Sequence, residues 1–175
     1  DQNKIREIFK NFNPDGVIHL AAETHVDRSI DNPEIFIQTN IMGTYNLLEA
    51  SRDYINDTNS NNFIFHHVST DEVYGSLRSG EANEQSPSNP RSPYAASKAS
   101  ADMLTRSYFF THKLPTLITL GCNTYGPRQF PEKFIPLIIL RALSGMSLPV
   151  YGDGTNIREW IHVDDHAEAI HQVLK

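Results

Sequence analysis

A hydroxyl and two neighbouring carboxyls, Thr70, Asp71 and Glu72, come just after the strand-like segment Asn62–Val68. Further along, Tyr94-Ala95-Ala96-Ser97-Lys98 puts a tyrosine and a lysine one helical turn apart. Their side chains share one helix face, so the ammonium can lie beside the phenol and favour its anionic form, which otherwise requires a pH of about 10. This pair suits proton removal from an alcohol during hydride transfer, and the two carboxyls suit the acid and the base of a second step.

These residues need particular elements to position them. Adjacent side chains on a regular strand point to opposite faces. Asp71 and Glu72 can therefore serve one site only where the strand has ended, and we expect a turn or short helix from Asp71 to Tyr74. The tyrosine–lysine pair needs a helix, for which Ser92 and Pro93 form a typical start.

Apolar strand patterns alternate with helical patterns along the chain and predict an α/β fold with a parallel sheet covered on both faces. The predicted strands are Val17–Ala22, Phe63–Val68, Thr116–Cys122, Leu148–Tyr151 and Ile157–Val163. The predicted helices are Ile5–Phe12, Pro33–Ile55, Pro93–His112, Ile135–Leu143 and a last one capped by Asp164, with polar loops at Asn56–Asn62 and Arg78–Ser92. Ligands of such sheets bind beyond the carboxyl ends of the strands, where Ala22, Thr70 and Asn123 fall.

The composition limits the classes of partner and compartment. A net charge of −6 and a hydrophobic content of 39% indicate a globular chain that does not bind nucleic acid in general. Cys122 is the single cysteine, so no disulfide forms within the chain, which fits a reducing compartment. The sequence has neither a signal-peptide pattern nor an apolar run of about 20 residues, the length that spans a bilayer. We therefore expect a cytoplasmic protein without membrane partners.

The glycine-rich turn with which dinucleotide-binding folds hold a diphosphate is missing from this sequence. The chain also begins and ends on a helical pattern. We interpret it as a piece of a longer protein that has lost its first strands, and we expect the isolated piece to bind a dinucleotide poorly and to be inactive. The strand at Val17–Ala22 should then have an open edge.

Taken together, the motifs resemble those of nucleotide-sugar 4,6-dehydratases in the extended short-chain dehydrogenase/reductase superfamily. The Thr-Asp-Glu triplet is the most specific part, because related epimerases typically lack the two carboxyls. The resemblance covers nearly all of the chain and is carried by His19–Ile30, Thr70–Glu72, Tyr94 with Lys98, Asn123–Pro127, Phe130–Lys133, Pro149–Gly152 and Ile157–Trp160. It implies part of an NAD(P)-binding Rossmann-like doubly wound sheet in residues 1–125, the start of a nucleotide-sugar region in residues 126–163, and a helix in residues 164–175.

The resemblance further implies a lyase that converts dTDP-glucose to its 4-keto-6-deoxy product with NAD as cofactor. Tyr94 would take the proton of the 4-hydroxyl while C4 gives a hydride to NAD, with Thr70 bound to O4 and Lys98 orienting Tyr94. Glu72 would remove the C5 proton and Asp71 would protonate the leaving 6-hydroxyl, before the hydride returns to C6. Two neighbouring carboxyls tend to separate their pKa values, which leaves one protonated as an acid.

The binding residues are also implied by the resemblance. The cofactor would be contacted by Leu20, Ala21, Ala22, Glu23, Thr24, Thr39, Tyr94, Lys98 and Thr124, although Thr124 stands where the family usually has a second Asn. The nucleotide sugar would be contacted by Thr24, Thr70, Asn123, Lys133, Phe134, Pro149, Val150, Tyr151 and Arg158. Arg158 would pair with the diphosphate, for which a guanidinium fork is suited.

Three questions stay open at this point. A UDP-glucose 4,6-dehydratase, or a nucleotide-sugar epimerase or decarboxylase, would use the same scaffold. The choice between thymine and uracil is open because Pro149–Tyr151 could contact either pyrimidine base. His162 and His166 lie beside Asp164 and Asp165, but we interpret them as a helix start and predict no metal site. The family forms a homodimer through the helices at 33–55 and 93–112, so we expect one here, while the apolar face of the first helix could equally be core: Ile37, Ile41, Tyr45 and Leu48.

Overall fold

The computed structural model describes residues 1–60, 62–77 and 79–175, and Asn61 and Arg78, which fall in the two predicted loops, lie outside the described residues. The chain divides into two compact units, Asp1–Leu120 and Gly121–Lys175. Each unit combines helices with parallel strand pairing, which confirms the predicted α/β class. The finer division of the chain into three parts stays a prediction.

The helices of the first unit agree with the sequence patterns in most places. They are α1 (Gln2–Phe12), α2 (Val26–Asp31), α3 (Pro33–Phe36), α4 (Gly43–Thr58) and α5 (Pro93–His112). The patterns missed α2, and the helix predicted to end near Ile55 continues to Thr58. Between α3 and α4, Ile37–Met42 is π-helical, so this stretch has two hydrogen-bonding patterns rather than the single one expected.

Local capping explains where the longer helices begin and end. The Asp1 carboxylate accepts hydrogen bonds from the backbone of Asn3 and Lys4 at 3.0 and 3.2 Å, and Ser92 Oγ accepts one from the Ala95 N–H at 3.1 Å. The far ends of α1, α4 and α5 are each closed by a residue with left-handed backbone: Asn13, Asn59 and Lys113.

The sheet of the first unit has the strand order β1 (Gly16–His19), β2 (Ile64–Thr70) and β3 (Thr116–Gly121). β1 and β2 are parallel, with His19 opposite His67. β2 is the middle strand, buried from Phe65 to Ser69, and β1 lies at the edge of this described sheet. The expectation that the first strand runs to Ala22 is wrong, because β1 ends at His19 and the backbone of Glu23 bonds to a side chain instead.

The core of the first unit lies between the sheet and its helices. α1 packs against α4, and α5 packs against both α4 and β2. Leu48 is fully buried in this core, so it does not belong to a surface face of α4, whereas Ile37 is 49% exposed. The core side chains are Phe9, Leu48, Ala50, Phe63, Phe65, Tyr108 and Leu114.

The second unit contains the parallel pair β4 (Asn123–Tyr125) and β5 (Trp160–His162), with the helices α6 (Phe134–Leu143) and α7 (Val163–Val173). The strand predicted at Leu148–Tyr151 is wrong, because this apolar segment is irregular and leads into a turn with left-handed Gly152 and Gly154. The strand predicted from Ile157 is limited to β5. His162, rather than Asp164, caps α7, since its Nδ1 accepts from the Asp164 N–H at 3.3 Å.

Within residues 1–60, 62–77 and 79–175, none of the helices has the length and apolar character needed to cross a membrane.

Candidate active site

The end of β2 brings a hydroxyl, two carboxyls and a phenol together. β2 ends at Thr70 and is followed at once by a short 3₁₀ helix, Asp71–Tyr74, which confirms the turn expected from the adjacency of the two carboxyls. The Thr70 hydroxyl donates to the Asp71 carboxylate at 3.2 Å and accepts from the Glu72 N–H at 3.3 Å. The Tyr94 phenol from the first turn of α5 shares a further hydrogen bond with Thr70.

Gly75 ends this turn in a way that other residues could not. Its φ is 72°, and a Cβ built on it would meet the Asn89 carbonyl oxygen at 2.1 Å. The same loop is fixed by a hydrogen bond from the Asn89 N–H to the Val73 carbonyl at 2.8 Å. These two contacts therefore fix the loop that directly follows the carboxyl pair.

Tyr94 is buried, and its surroundings disfavour the phenolate. Burial, together with the carboxylates of Glu72, Asp71 and Asp102, raises the pKa of Tyr94 to about 12, although the hydrogen bond with Thr70 lowers it. The net effect is opposite to the one expected from the sequence, because burial and three carboxylates outweigh favourable contacts. The Tyr94 phenol is thus protonated at neutral pH in this arrangement.

Lys98 lies one turn further along α5 and is only 4% exposed. Its Nζ donates to the Val68 carbonyl of β2 at 2.8 Å. Burial lowers the pKa of Lys98 to about 8, and the charge of Asp102 acts in the opposite direction. The ammonium is therefore held against the strand two residues before Thr70.

Asp102 is a site residue that the sequence patterns did not single out. It lies one turn beyond Lys98, and its Oδ2 accepts from Ser69 Oγ at 2.9 Å while its Oδ1 lies 3.2 Å from His67 Nε2. A signal was present, because Tyr94, Lys98 and Asp102 form a series with helical spacing on one face of α5.

The predicted cofactor segment Leu20–Thr24 extends beyond β1 and is held by a buried amide. Asn40 Oδ1 accepts from the Glu23 N–H at 2.8 Å, and Asn40 Nδ2 donates to the Glu23 carbonyl at 3.0 Å and to Ser97 Oγ at 2.8 Å. Asn40 belongs to the π-helical segment directly after Thr39, and π-helical turns are frequent at functional sites. Asn40 links the Leu20–Thr24 segment to the helix that carries Tyr94.

The remaining predicted binding residues belong to the second unit, and some of them are held by its own contacts. Thr124 Oγ1 lies 2.9 Å from His166 Nδ1, and its carbonyl accepts from Gln129 Nε2 at 2.8 Å. Asn123 pairs with Trp160 across β4 and β5. Phe134, at the start of α6, stacks on the same Trp160 ring with centroids 6.2 Å apart, and Lys133 directly precedes that helix.

The Pro149–Tyr151 segment and Arg158 are more exposed. The Tyr151 carbonyl accepts from the Gly154 N–H at 3.1 Å and from Asn156 Nδ2 at 3.4 Å. The Arg158 Nη1 donates to the Ile157 carbonyl at 2.8 Å. A backbone turn contact and the Asn156 amide hold this segment, and the side chains of Val150 and Tyr151 are exposed.

The histidine and aspartate cluster near α7 has structural partners. His162 caps α7, and His166 contacts Thr124. Across the described ranges, no group of three or more His, Cys, Asp or Glu side chains is arranged to hold a metal ion.

Comparison with known proteins places this geometry in a family. Residues 1–175 match the family described as GDP-mannose 4,6 dehydratase. The chain belongs to this family. It is 51% identical over 187 residues to a dTDP-glucose 4,6-dehydratase of Salmonella typhimurium, with 99% of this chain and 52% of that protein covered.

Solved structures of this family and of related enzymes have the same fold. The dTDP-glucose 4,6-dehydratase of Streptomyces venezuelae with NAD bound superposes with a TM-score of 0.92 at 47% identity, covering 99% of this chain and 52% of that one. A UDP-glucuronic acid 4-epimerase of Bacillus cereus, in complex with UDP-glucuronic acid and NAD, has a TM-score of 0.89 at 30% identity and covers 100% and 54%. The first unit is therefore part of a Rossmann-like fold, and the chain spans about half the length of the relatives it matches.

Proposed function

We propose that the protein containing this chain is an NAD-dependent lyase that converts dTDP-glucose to dTDP-4-keto-6-deoxyglucose with loss of water. The observation that carries the proposal is the hydrogen bond between Thr70 and Tyr94, with Asp71 and Glu72 in the turn that follows directly. An alcohol oxidation needs a phenol or a similar base, and an elimination needs an acid and a base close by. Identity of 51% to a dTDP-glucose 4,6-dehydratase supports the same reaction.

The proposal gives each of these side chains a role. Tyr94 accepts the proton of the sugar 4-hydroxyl, while the Thr70 hydroxyl binds O4. Oxidation at C4 makes C5 the neighbour of a carbonyl, so its proton becomes acidic enough for the Glu72 carboxylate. Asp71 protonates the 6-hydroxyl as it leaves as water. Because Tyr94 has a pKa of about 12 here, bound substrate and cofactor must supply the remaining stabilisation of the phenolate.

The residues of the first unit fit the nicotinamide part of NAD. Lys98 presents a cation next to the Tyr94 helix turn, and the backbone from Leu20 to Thr24 is held by Asn40 beyond the carboxyl end of β1. When bound, NAD would supply the hydride acceptor for oxidation at C4 and the hydride donor for reduction at C6. Thr39 is a further proposed NAD contact of this unit, and Thr124 is the one proposed in the second unit. A glycine-rich turn for the diphosphate is not part of this sequence.

In the first unit, the residues proposed to contact the sugar are Thr24 and Thr70. In the second unit, the residues proposed to contact the substrate are Asn123, Lys133 and Phe134, and Pro149–Tyr151 are proposed to flank the base. Arg158 pairs with the diphosphate, since a planar guanidinium can bind two phosphate oxygens at once.

Product mass tests this function directly. The full-length protein is incubated with NAD and either dTDP-glucose or UDP-glucose, and the nucleotide sugars are weighed. We expect a product lighter by one water, formed from dTDP-glucose in preference. An unchanged mass with an altered sugar configuration would identify an epimerase, which is the function of one structural neighbour. Loss of water from UDP-glucose alone would show that the substrate is UDP-glucose and not dTDP-glucose.

We also propose a homodimer through the helices of residues 33–55 and 93–112. One face of α5 is outward along its length, and its large apolar residues, Met103 and Phe110, are 60% and 65% exposed. On the other helix, Ile35 and Met42 are 44% and 41% exposed. Light scattering of the full-length protein should give twice the monomer mass, and Phe110→Glu should shift the measured mass toward that of the monomer.

We also propose a cytoplasmic location, which is the compartment expected from the single cysteine.

A further inference from the structure

Three consecutive residues at the end of β2 are bound by two charged residues of α5. Lys98 Nζ donates to the Val68 carbonyl at 2.8 Å, and Ser69 Oγ donates to Asp102 Oδ2 at 2.9 Å. Asp102 Oδ1 lies 3.2 Å from His67 Nε2. The next residue of the strand is Thr70, so these contacts fix the strand at the point where the proposed chemistry begins.

The same contacts surround a buried charge. Lys98 is 4% exposed and Asp102 is 8% exposed. A buried ammonium is unfavourable unless a carboxylate and hydrogen bonds compensate it, and removing one partner of such a pair leaves the other charge without compensation. Among the described residues, the other ionisable groups in this electrostatic environment include His19 of β1, His67 of β2, Tyr94 of α5, and Asp71, Glu72 and Tyr74 of the 3₁₀ turn.

These neighbours give Asp102 a specific role toward Lys98. Burial lowers the pKa values of both His19 and His67, so at neutral pH these two rings carry no positive charge that would repel the ammonium. The Asp102 carboxylate raises the pKa of Lys98, which burial alone would lower further. The carboxylate thus keeps more of Lys98 in its charged form.

We propose that Asp102 is a positioning residue of the dehydratase, which holds Lys98 as a cation and anchors the end of β2 beneath Thr70 and Tyr94. Asp102 does not touch the reacting atoms and acts through Lys98 and through residues 67 and 69. The kinetic consequence of this inference rests on the proposed function. The electrostatic coupling between Asp102 and Lys98 is independent of that function.

The kinetic experiment compares variants that differ in charge or in hydrogen bonding. Single-turnover formation of NADH from dTDP-glucose is followed against pH in the full-length protein. The alkaline limb of the rate–pH profile is the fall in rate at high pH where Lys98 loses its proton. In Asp102→Asn, this limb should move to lower pH by about one unit or more, since an opposite charge shifts a pKa by about 1–3 units. Asp102→Glu keeps the charge, and Ser69→Ala removes the hydrogen bond but not the charge, so both should keep the parent's limb even where the rate falls.

A double-mutant cycle on thermal unfolding tests the coupling without any activity. Asp102→Asn should lower the unfolding temperature by more in the parent than in the Lys98→Met background, because the second background has no ammonium to leave unpaired. Should Asp102→Asn fail to fold, the double variant should fold again.

The outcomes separate this inference from the proposed function. An unmoved alkaline limb in Asp102→Asn, an equal shift in Ser69→Ala, or additive unfolding effects would each overturn the role of Asp102, as would a double variant that also fails to fold. A parent that releases no water from dTDP-glucose, but whose unfolding cycle shows the coupling, would contradict the proposed function and leave the electrostatic coupling of Asp102 with Lys98 standing.

Discussion

The two units hold their predicted site residues in opposite ways. In the first unit, Tyr94 and Lys98 are 9% and 4% exposed, and each is hydrogen-bonded to the end of β2. In the second unit, Val150 and Tyr151 are 70% and 56% exposed and lie in a segment held by turn contacts of the backbone.

This difference indicates a division between chemistry and recognition. Burial changes the pKa values of Tyr94 and Lys98, and it also ties them to the core, so substitutions there should affect the chemical steps. Exposed side chains pack little, so substitutions in the second unit should affect binding. The following experiments test this contrast, from the largest expected effect to the smallest.

The strongest test replaces the proposed base for C5 in the first unit. In Glu72→Gln, the amide keeps the shape but cannot take the proton, and loss of water should slow by about 10²–10⁴. Oxidation at C4 should continue, so NADH should accumulate together with a keto sugar that retains its 6-hydroxyl. Rapid-mixing absorbance with mass measurement of the quenched sugar detects both.

Tyr94→Phe is the matched comparison for this experiment, and it should suppress NADH formation itself. Equal loss of oxidation and elimination in Glu72→Gln would show that Glu72 is not the base for C5.

A substitution in the core of the first unit should lower the free energy of unfolding far more than a substitution at an exposed position of the second unit. Phe65 is fully buried in β2, whereas Ile157 is 89% exposed. Phe65→Ala should lower the free energy of unfolding by about 3–5 kcal/mol through lost burial and a cavity, and Ile157→Ala should change it by less than about 0.5 kcal/mol. Urea unfolding of both variants measures this, and similar losses for the two would contradict the contrast.

Diphosphate binding by the second unit should respond to the shape of the cation. Arg158→Lys keeps the charge but loses the guanidinium fork, so KM should rise by about tenfold while kcat changes little. Arg141→Lys is the control, because Arg141 donates to the Ser147 carbonyl at 3.0 Å and is not a proposed ligand. A fall in kcat at constant KM would show that Arg158 acts in the chemical steps and not in substrate binding.

The smallest effect concerns acid stability of the first unit. Burial, with the charges of His67 and Lys98, lowers the pKa of His19 from 6.5 to about 3. The unfolded chain therefore binds a proton in this range that the folded chain does not, so the contribution of His19 is complete above pH 6.5 and is lost as the pH falls toward about 3.

His19→Gln should flatten this part of the stability curve, because glutamine does not titrate. Unfolding free energies measured by urea from neutral pH down to pH ~5 check the change in slope. A slope in His19→Gln equal to the parent's would contradict the assignment.

Much of the local structure was predictable because it depends on neighbouring residues. Ser92 and Pro93 start α5 through a cap and a fixed proline angle, and the paired carboxyls after Thr70 required the strand to end there. The apolar Leu148–Tyr151 segment was predicted wrongly, since β-forming residues make a strand only where another strand is available for pairing.

The sequence by itself determined the α/β class, the family and the turn at Asp71–Tyr74, because periodicity, capping and motif spacing are local properties. Only the tertiary structure decided that Asn40 holds Glu23, that Lys98 and Asp102 each bond to β2, and that the pKa of Tyr94 rises. These features depend on contacts between distant segments and on burial, and the free energy of a charge depends on how much water surrounds it. Spacing along one helix could not supply that information.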